Sequence, residues 1–205
     1  MITFWLTILF ALFVYTTSAG VEVHQISIQS RPGALINNNT IRKETSFSKP
    51  KNISNNDKDQ RIIELKNQLS STINDTMRVN IYIKLAQLTD NLEIKQLENY
   101  SNIIVQLSEK INFEKGIAYG KYYLGSVFVN FDFDYTEKLT LESLRLAIKL
   151  KDSLLIARIY NLIGNLKSNT GNPEASFINY KKALSILLKN KMDSMAAGVY
   201  NNIGN

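Results

Sequence analysis

The 205-residue chain contains no cysteine and a single histidine. Without cysteine, disulfides, thiolate metal sites, a lipid-anchoring cysteine and a cysteine nucleophile are excluded together, and the fold must stand on packing alone. The lone His24 lacks the convergent partners that metal or triad chemistry needs, so it reads as a solvated linker residue. A basic stripe is missing too. The 24 Lys and Arg outnumber the 18 Asp and Glu, but they are scattered singly among Asn, Ser and Glu, which argues against a nucleic-acid interface. What the chain does have is 44% apolar residues, enough to bury a core and to exclude disorder throughout.

Residues 1–15 read MITFWLTILFALFVY, an uncharged apolar run followed by Thr16-Thr17-Ser18-Ala19-Gly20. The run is shorter than the roughly 20 residues that span a bilayer comfortably, and Thr17 and Ala19 suit the small positions before a cleavage site. A signal peptide over 1–19, cleaved after Ala19, is therefore expected. The n-region has no Lys or Arg, which leaves an uncleaved anchor and a buried structural helix as alternatives. Residues 20–58 turn to Asn, Ser, Thr, Lys and Gln, with Pro32-Gly33 and Ser48-Lys49-Pro50, and read as a low-complexity linker. Within them Val21 to Ile28 alternates apolar and polar, so a short strand competes there.

Self-comparison is the informative step. Tyr160-Asn161-Leu162-Ile163-Gly164-Asn165 recurs as Tyr200-Asn201-Asn202-Ile203-Gly204-Asn205, identical at five of six positions. Stepping back from Gly164 by 39 residues reaches Leu124-Gly125, and by another 39 Leu85-Ala86. Each unit divides into two amphipathic helices. Ile117, Leu124, Val127 and Phe131, then Ile156, Ile159, Ile163 and Leu166, keep helical spacing in first helices. In second helices the apolar stripes are Leu97, Tyr100, Ile104, Leu107 and Ile111, then Leu141, Leu144 and Ile148, then Phe177, Tyr180, Leu184 and Leu187. Asp75, Asp152 and Asp193 are placed to cap first helices, and Gly171-Asn172-Pro173 breaks the third hairpin. A glycine in mid-helix costs about 1 kcal/mol relative to alanine, so its recurrence in phase implies that close packing repays it.

In these residues the chain resembles the tetratricopeptide repeat family. Tyr160, Ile163-Gly164, Gly171, Ser176, Tyr180 and Ala183 fall into its register. Phe128 matches an expected aromatic where Lys167 departs from it, Tyr200 to Gly204 fits again, and the first unit fits most loosely through Tyr82 and Leu85-Ala86. The structural repeat positions are thus Ala86, Gly125, Gly164, Gly204, Tyr160, Tyr180, Ala183 and Tyr200. The stretch Leu107 to Ala118 looks like the forty-residue bacterial variety. The resemblance implies an all-α fold, a right-handed superhelical stack of antiparallel helix hairpins over 59–205, with units at about 75–112, 113–151, 152–191 and an incomplete 192–205.

In such a stack first helices line the concave face, and their outward positions form a groove. By the motif register these are Lys84 and Gln87; Tyr119, Tyr122, Tyr123, Ser126 and Asn130; Arg158, Asn161, Asn165 and Asn169; and Asn201 and Asn205. Asparagine amides both donate and accept, so a ladder of them can pair with an extended peptide while tyrosines pack its side chains. The competing account is that an Asn-rich chain places Asn wherever a polar residue is needed.

Nothing reads as catalytic. Asp132 and Asp134 lack the further oxygens that calcium wants and are expected as an acidic hairpin loop. Gly116, Gly120 and Gly125 lie on a helix without a phosphate-cradling turn and read as packing glycines. The sequons at Asn52 and Asn99 are what Asn- and Ser-rich composition produces by chance. No cofactor, metal or enzymatic activity is expected of these residues. The expected function is protein or peptide binding, with possible self-association through the repeats and no nucleic acid. Membrane contact is expected only through the N-terminal segment or a downstream span.

The resemblance further implies an exported, periplasmic or extracytoplasmic module, with an inner-membrane anchor as one option. It would be the sensory input of a longer bacterial signalling protein with a histidine kinase or helix-turn-helix regulator. A free-standing periplasmic or secreted scaffold is the alternative, and an enzyme whose active site lies beyond Asn205 the third reading. The array stops within a first helix at Asn205, from which the reading frame is expected to continue.

Overall fold

A computed structural model describes residues 55–89 and 93–204. The expected signal segment, His24, the strand alternative at 21–28, the Asn52 sequon and Asn205 lie outside the described residues. Every element within them is an α-helix: α1 (Asn55–Ser71), α2 (Asp75–Leu88), α3 (Ile94–Lys110), α4 (Glu114–Phe128), α5 (Phe133–Lys149), α6 (Ser153–Asn169), α7 (Pro173–Lys189) and α8 (Asp193–Gly204). The first residues of α2, α4, α6 and α8 are separated by 39, 39 and 40 positions, and those of α3, α5 and α7 by 39 and 40. The helix α1 begins 39 positions before α3, in the register of a second helix, and starts inside the stretch expected as linker.

Local chemistry sets the helix ends. Asn74, Asp132, Asp152 and Asn172 each accept a hydrogen bond from a first-turn amide, at 2.9–3.0 Å, which satisfies one orphan donor apiece. The capping residue of α2 is therefore Asn74 and not Asp75, which is the first helical residue, as Asp193 is in α8. A carboxylate in that first turn still favours the helix through the positive end of its dipole. At the other ends, Asn112, Lys151 and Lys191 adopt φ of 54–55°, and Gly171 a φ of 73°. The amide that follows each of them reaches back five residues, as in Phe113 N to Ser108 O at 2.8 Å and Asp152 N to Ala147 O at 3.0 Å. This left-handed stop ends α3, α5, α6 and α7 alike.

Each helix packs against the next, and first helices also touch across units, α2 on α4 and α4 on α6. Val79, Leu85, Ile104, Leu155, Ile159, Leu166 and Leu187 are all at most 2% exposed. Burying each such side chain contributes roughly 1.5–3 kcal/mol. Close approach depends on the glycines. A Cβ on Gly116 would fall 2.7 Å from Val79 Cγ1, one on Gly120 2.6 Å from Val105 Cγ2, and one on Gly125 3.2 Å from Thr140 Cγ2. On Gly164 it would collide with the ring of Tyr180. A Cβ on Gly204, at the end of the last described helix, would meet nothing within 4 Å.

Four stripe assignments are corrected. Leu141, Ile148 and Phe177 face outward, 56%, 54% and 48% exposed, and Phe131 lies beyond the end of α4 at 71%. The buried face of α5 is instead Thr136, Leu139, Thr140, Ser143, Leu146 and Ala147. Two of these short hydroxyls discharge their donors on backbone carbonyls. Thr140 Oγ1 bonds Thr136 O at 2.8 Å, and Ser143 Oγ bonds Ala118 O across to α4 at 2.7 Å. A search that scores only apolar residues picks the wrong side of such a helix.

Candidate functional site in the first-helix row

The face carried by α2, α4, α6 and α8 resolves into three chemically different stretches. On α2, Lys84 and Gln87 are exposed. Lys84 borders a cavity of about 370 Å³ with Met77, Asn80 and Ile81 from its own helix and Gln68 from α1.

On α4, Tyr119 and Tyr123 are buried, each 5% exposed, and belong to the main core. Tyr122 and Ser126 are half-buried, and Ser126 Oγ bonds back to Tyr123 O at 2.7 Å. The rings of Tyr122 and Tyr123 lie 4.9 Å apart between centroids, those of Tyr119 and Tyr123 6.4 Å. Tyr119 donates its hydroxyl to Asp152 Oδ2 at 3.0 Å, and the Arg158 guanidinium reaches Tyr123 Oη at 3.4 Å. Asp152 thus serves twice, since its other oxygen caps α6. Burial raises the phenol pKa of all three tyrosines; the Asp152 carboxylate adds to this at Tyr119, while the Arg158 charge opposes it at each. Tyr122 packs partly buried against the core.

On α6 and α8 the amides are bonded to one another. Asn169 Nδ2 donates to Asn130 Oδ1 at 2.8 Å and to Val129 O at 3.1 Å. Asn202 Nδ2 donates to Asn161 Oδ1 at 2.9 Å and to Asn165 Oδ1 at 3.4 Å, and Asn165 also accepts from Tyr180 Oη at 2.8 Å. Arg158, Asn161 and Asn165 are half-buried, Asn169 and Asn201 exposed. The asparagines therefore lace unit to unit. Asn161 retains its Nδ2 donors with no protein partner among the described residues.

Comparison with family models, with curated proteins and with solved structures returns no match. The chain is a stack of paired helices with a repeat of 39 to 40 residues, and that statement rests on its own geometry.

Of the repeat positions, Ala86, Tyr180 and Ala183 are buried at 3%, 5% and 0%, whereas Tyr160 is half-buried with Lys182 Nζ 5.2 Å from its ring centroid. Tyr200 is 53% exposed. Sequence reasoning passed over Asn202, the amide that ties Asn161 to Asn165. Its signal was present: in the six-residue recurrence it is the one position that differs, replacing Leu162. Asp132 caps α5, and no group of acidic or histidine side chains able to hold a metal occurs among the described residues. Likewise no helix among them is long and apolar enough to cross a membrane.

Proposed function

We propose that the chain is a binding module of the tetratricopeptide kind, whose hairpins wind into a right-handed superhelix and hold an extended peptide or protein segment along the first helices. The observation that carries this reading is the side-by-side packing of α2 on α4 and α4 on α6. It joins the exposed positions of separate units into one surface. Along that surface Lys84, Gln87, Asn161 and Asn201 offer donors and acceptors at spaced intervals, and the half-buried Tyr122 lies on the intervening α4. The rigid tyrosine and asparagine layer beneath preorganises them, which lowers the ordering cost of binding. The N-terminal sequence supports export, and with it a role as extracytoplasmic input to a longer bacterial signalling protein with a histidine kinase or helix-turn-helix output.

Selection of the chain against a displayed library of random linear peptides tests the binding role. The expected result is a set of related sequences whose affinity falls on Gln87→Ala and Asn161→Ala but survives Asn102→Ala on the outer side of α3. Absence of any enriched sequence, or equal loss in all three variants, overturns it.

A further inference from the structure

We propose that the outward faces of α5 and α7 form a docking surface for an anionic lipid bilayer, separate from the N-terminal apolar segment. On α5 the outward stripe is Lys138, Leu141, Arg145 and Ile148; on α7 the positions 40 residues later are Ile178, Lys181, Ser185 and Leu188, and all eight are exposed. Steps of three and four put each stripe on one side of its helix. The same register in α3 reads Asn99, Asn102, Gln106 and Glu109, also fully outward. These four positions of the repeat thus change from neutral and acidic in one unit to alternating basic and apolar in the next, and to two apolar residues, a lysine and a serine in the one after. Since none of these residues packs in the core, folding does not ask for the change.

The apolar members are large and open: Leu141 is 56% exposed, Ile148 54%, Ile178 53% and Leu188 48%. Around them, Lys138 and Arg145 bear on the Glu142 carboxylate, and Lys181 Nζ lies 5.3 Å from the Phe177 ring centroid. Lys138, Arg145 and Lys181 form no ion pair among the described residues, whereas the neighbouring carboxylates Glu137 and Glu142 are held by Lys167 and Lys121 of the first helices. The helix α7 carries one carboxylate, Glu174 in its first turn, against Lys181, Lys182 and Lys189. With Glu137 and Glu142 held by first-helix lysines, the charges left on the α5 stripe and on α7 are predominantly positive, complementary to acidic headgroups.

A bilayer fits better than a folded partner. Leu141, Ile148 and Leu188 have no exposed apolar residue next to them in sequence, while Ile178 adjoins the exposed Phe177. A protein partner requires a shaped recess for its anchoring side chains, whereas a fluid headgroup layer accepts isolated aliphatic groups flanked by cations.

The absence of cysteine allows a direct test. Leu141→Cys, Leu188→Cys and, on the first-helix face, Gln87→Cys each carry one environment-sensitive fluorophore on the full chain. They are titrated with vesicles of phosphatidylglycerol and phosphatidylcholine, or of phosphatidylcholine alone. The expected result is a blue shift at 141 and 188 on the acidic vesicles only, with little change at 87. Adding Lys138→Glu, Arg145→Glu and Lys181→Glu should weaken the titration about tenfold or more. The proposal is overturned if the chain sediments with vesicles while probes 141 and 188 stay unshifted, since the N-terminal segment then makes the contact. It is equally overturned if probe 87 shifts as much, if neutral vesicles act as well, or if polyglutamate shifts the probes where vesicles do not.

Discussion

The ring of Tyr180 fills the space that a side chain on Gly164 would need, and its hydroxyl is fixed by Asn165 Oδ1 at 2.8 Å, so the ring cannot swing aside without breaking that bond. Replacing Gly164 by Ala gains about 1 kcal/mol of helix propensity. Overpacking against the ring opposes it by roughly 1–3 kcal/mol. Gly164→Ala is expected to lower the urea midpoint. Gly204→Ala and Gly198→Ala, where a Cβ meets nothing within 4 Å, are expected to leave it unchanged or raise it. A stabilised Gly164→Ala would show that the contact is softer than its geometry.

The helix stops yield a second contrast. Lys151 and Lys191 hold a left-handed φ of 55° with a side chain that disfavours it, while Gly171 holds 73° without that penalty. Lys151→Gly and Lys191→Gly should each stabilise by about 0.5–1 kcal/mol, and Gly171→Ala should destabilise by about 1 kcal/mol. Thermal unfolding of the three variants checks both signs.

Buried hydroxyls supply a third. Thr136 Oγ1 is buried without a partner, so Thr136→Val, which keeps the shape, should stabilise by about 1 kcal/mol. Ser143 donates to Ala118 O between α5 and α4, so Ser143→Ala should cost about 1 kcal/mol. Equal effects in denaturant titrations would dissociate the hydrogen bond from stability.

Alkaline pH should unfold the array through Tyr119, Tyr122 and Tyr123. Their phenols are raised above the ordinary value near 10, chiefly by burial. The unfolded chain therefore releases these protons first as pH rises, binds fewer than the folded chain, and stability falls with pH. The expected profile is flat across neutral pH and declines once pH passes about 10. Tyr119→Phe should make the decline shallower but cost stability at neutral pH, because Asp152 loses its buried donor. An unchanged alkaline slope in Tyr119→Phe and Tyr123→Phe would place the titrating groups elsewhere.

The recurrence of Gly125, Gly164 and Gly204 with its flanking tyrosines was enough to read the phase of the helices, because close packing of repeated pairs imposes small residues at fixed intervals. Less legible was the inner face of α5, where Thr136, Thr140 and Ser143 are buried and Leu141 and Ile148 are not. Hydrophobicity alone cannot reveal a hydroxyl that is satisfied by a backbone carbonyl, as those of Thr140 and Ser143 are. The register of α1 was hidden for a related reason, as its polar sequence shares no motif residue with α3 although it keeps the 39-residue spacing. At the candidate site the positions were readable but their mutual bonding was not. Pairings such as Asn130 with Asn169 and Asn202 with Asn161 depend on how far neighbouring units approach.

Because each helix packs chiefly on the next one and first helices reach only the adjacent unit, strain reaching one end of the stack meets little long-range resistance. Pulled between α1 and α8, the molecule should yield as a series of small steps, one hairpin giving way at a time, and refold quickly on release. Under load it should lengthen hairpin by hairpin instead of failing at one point.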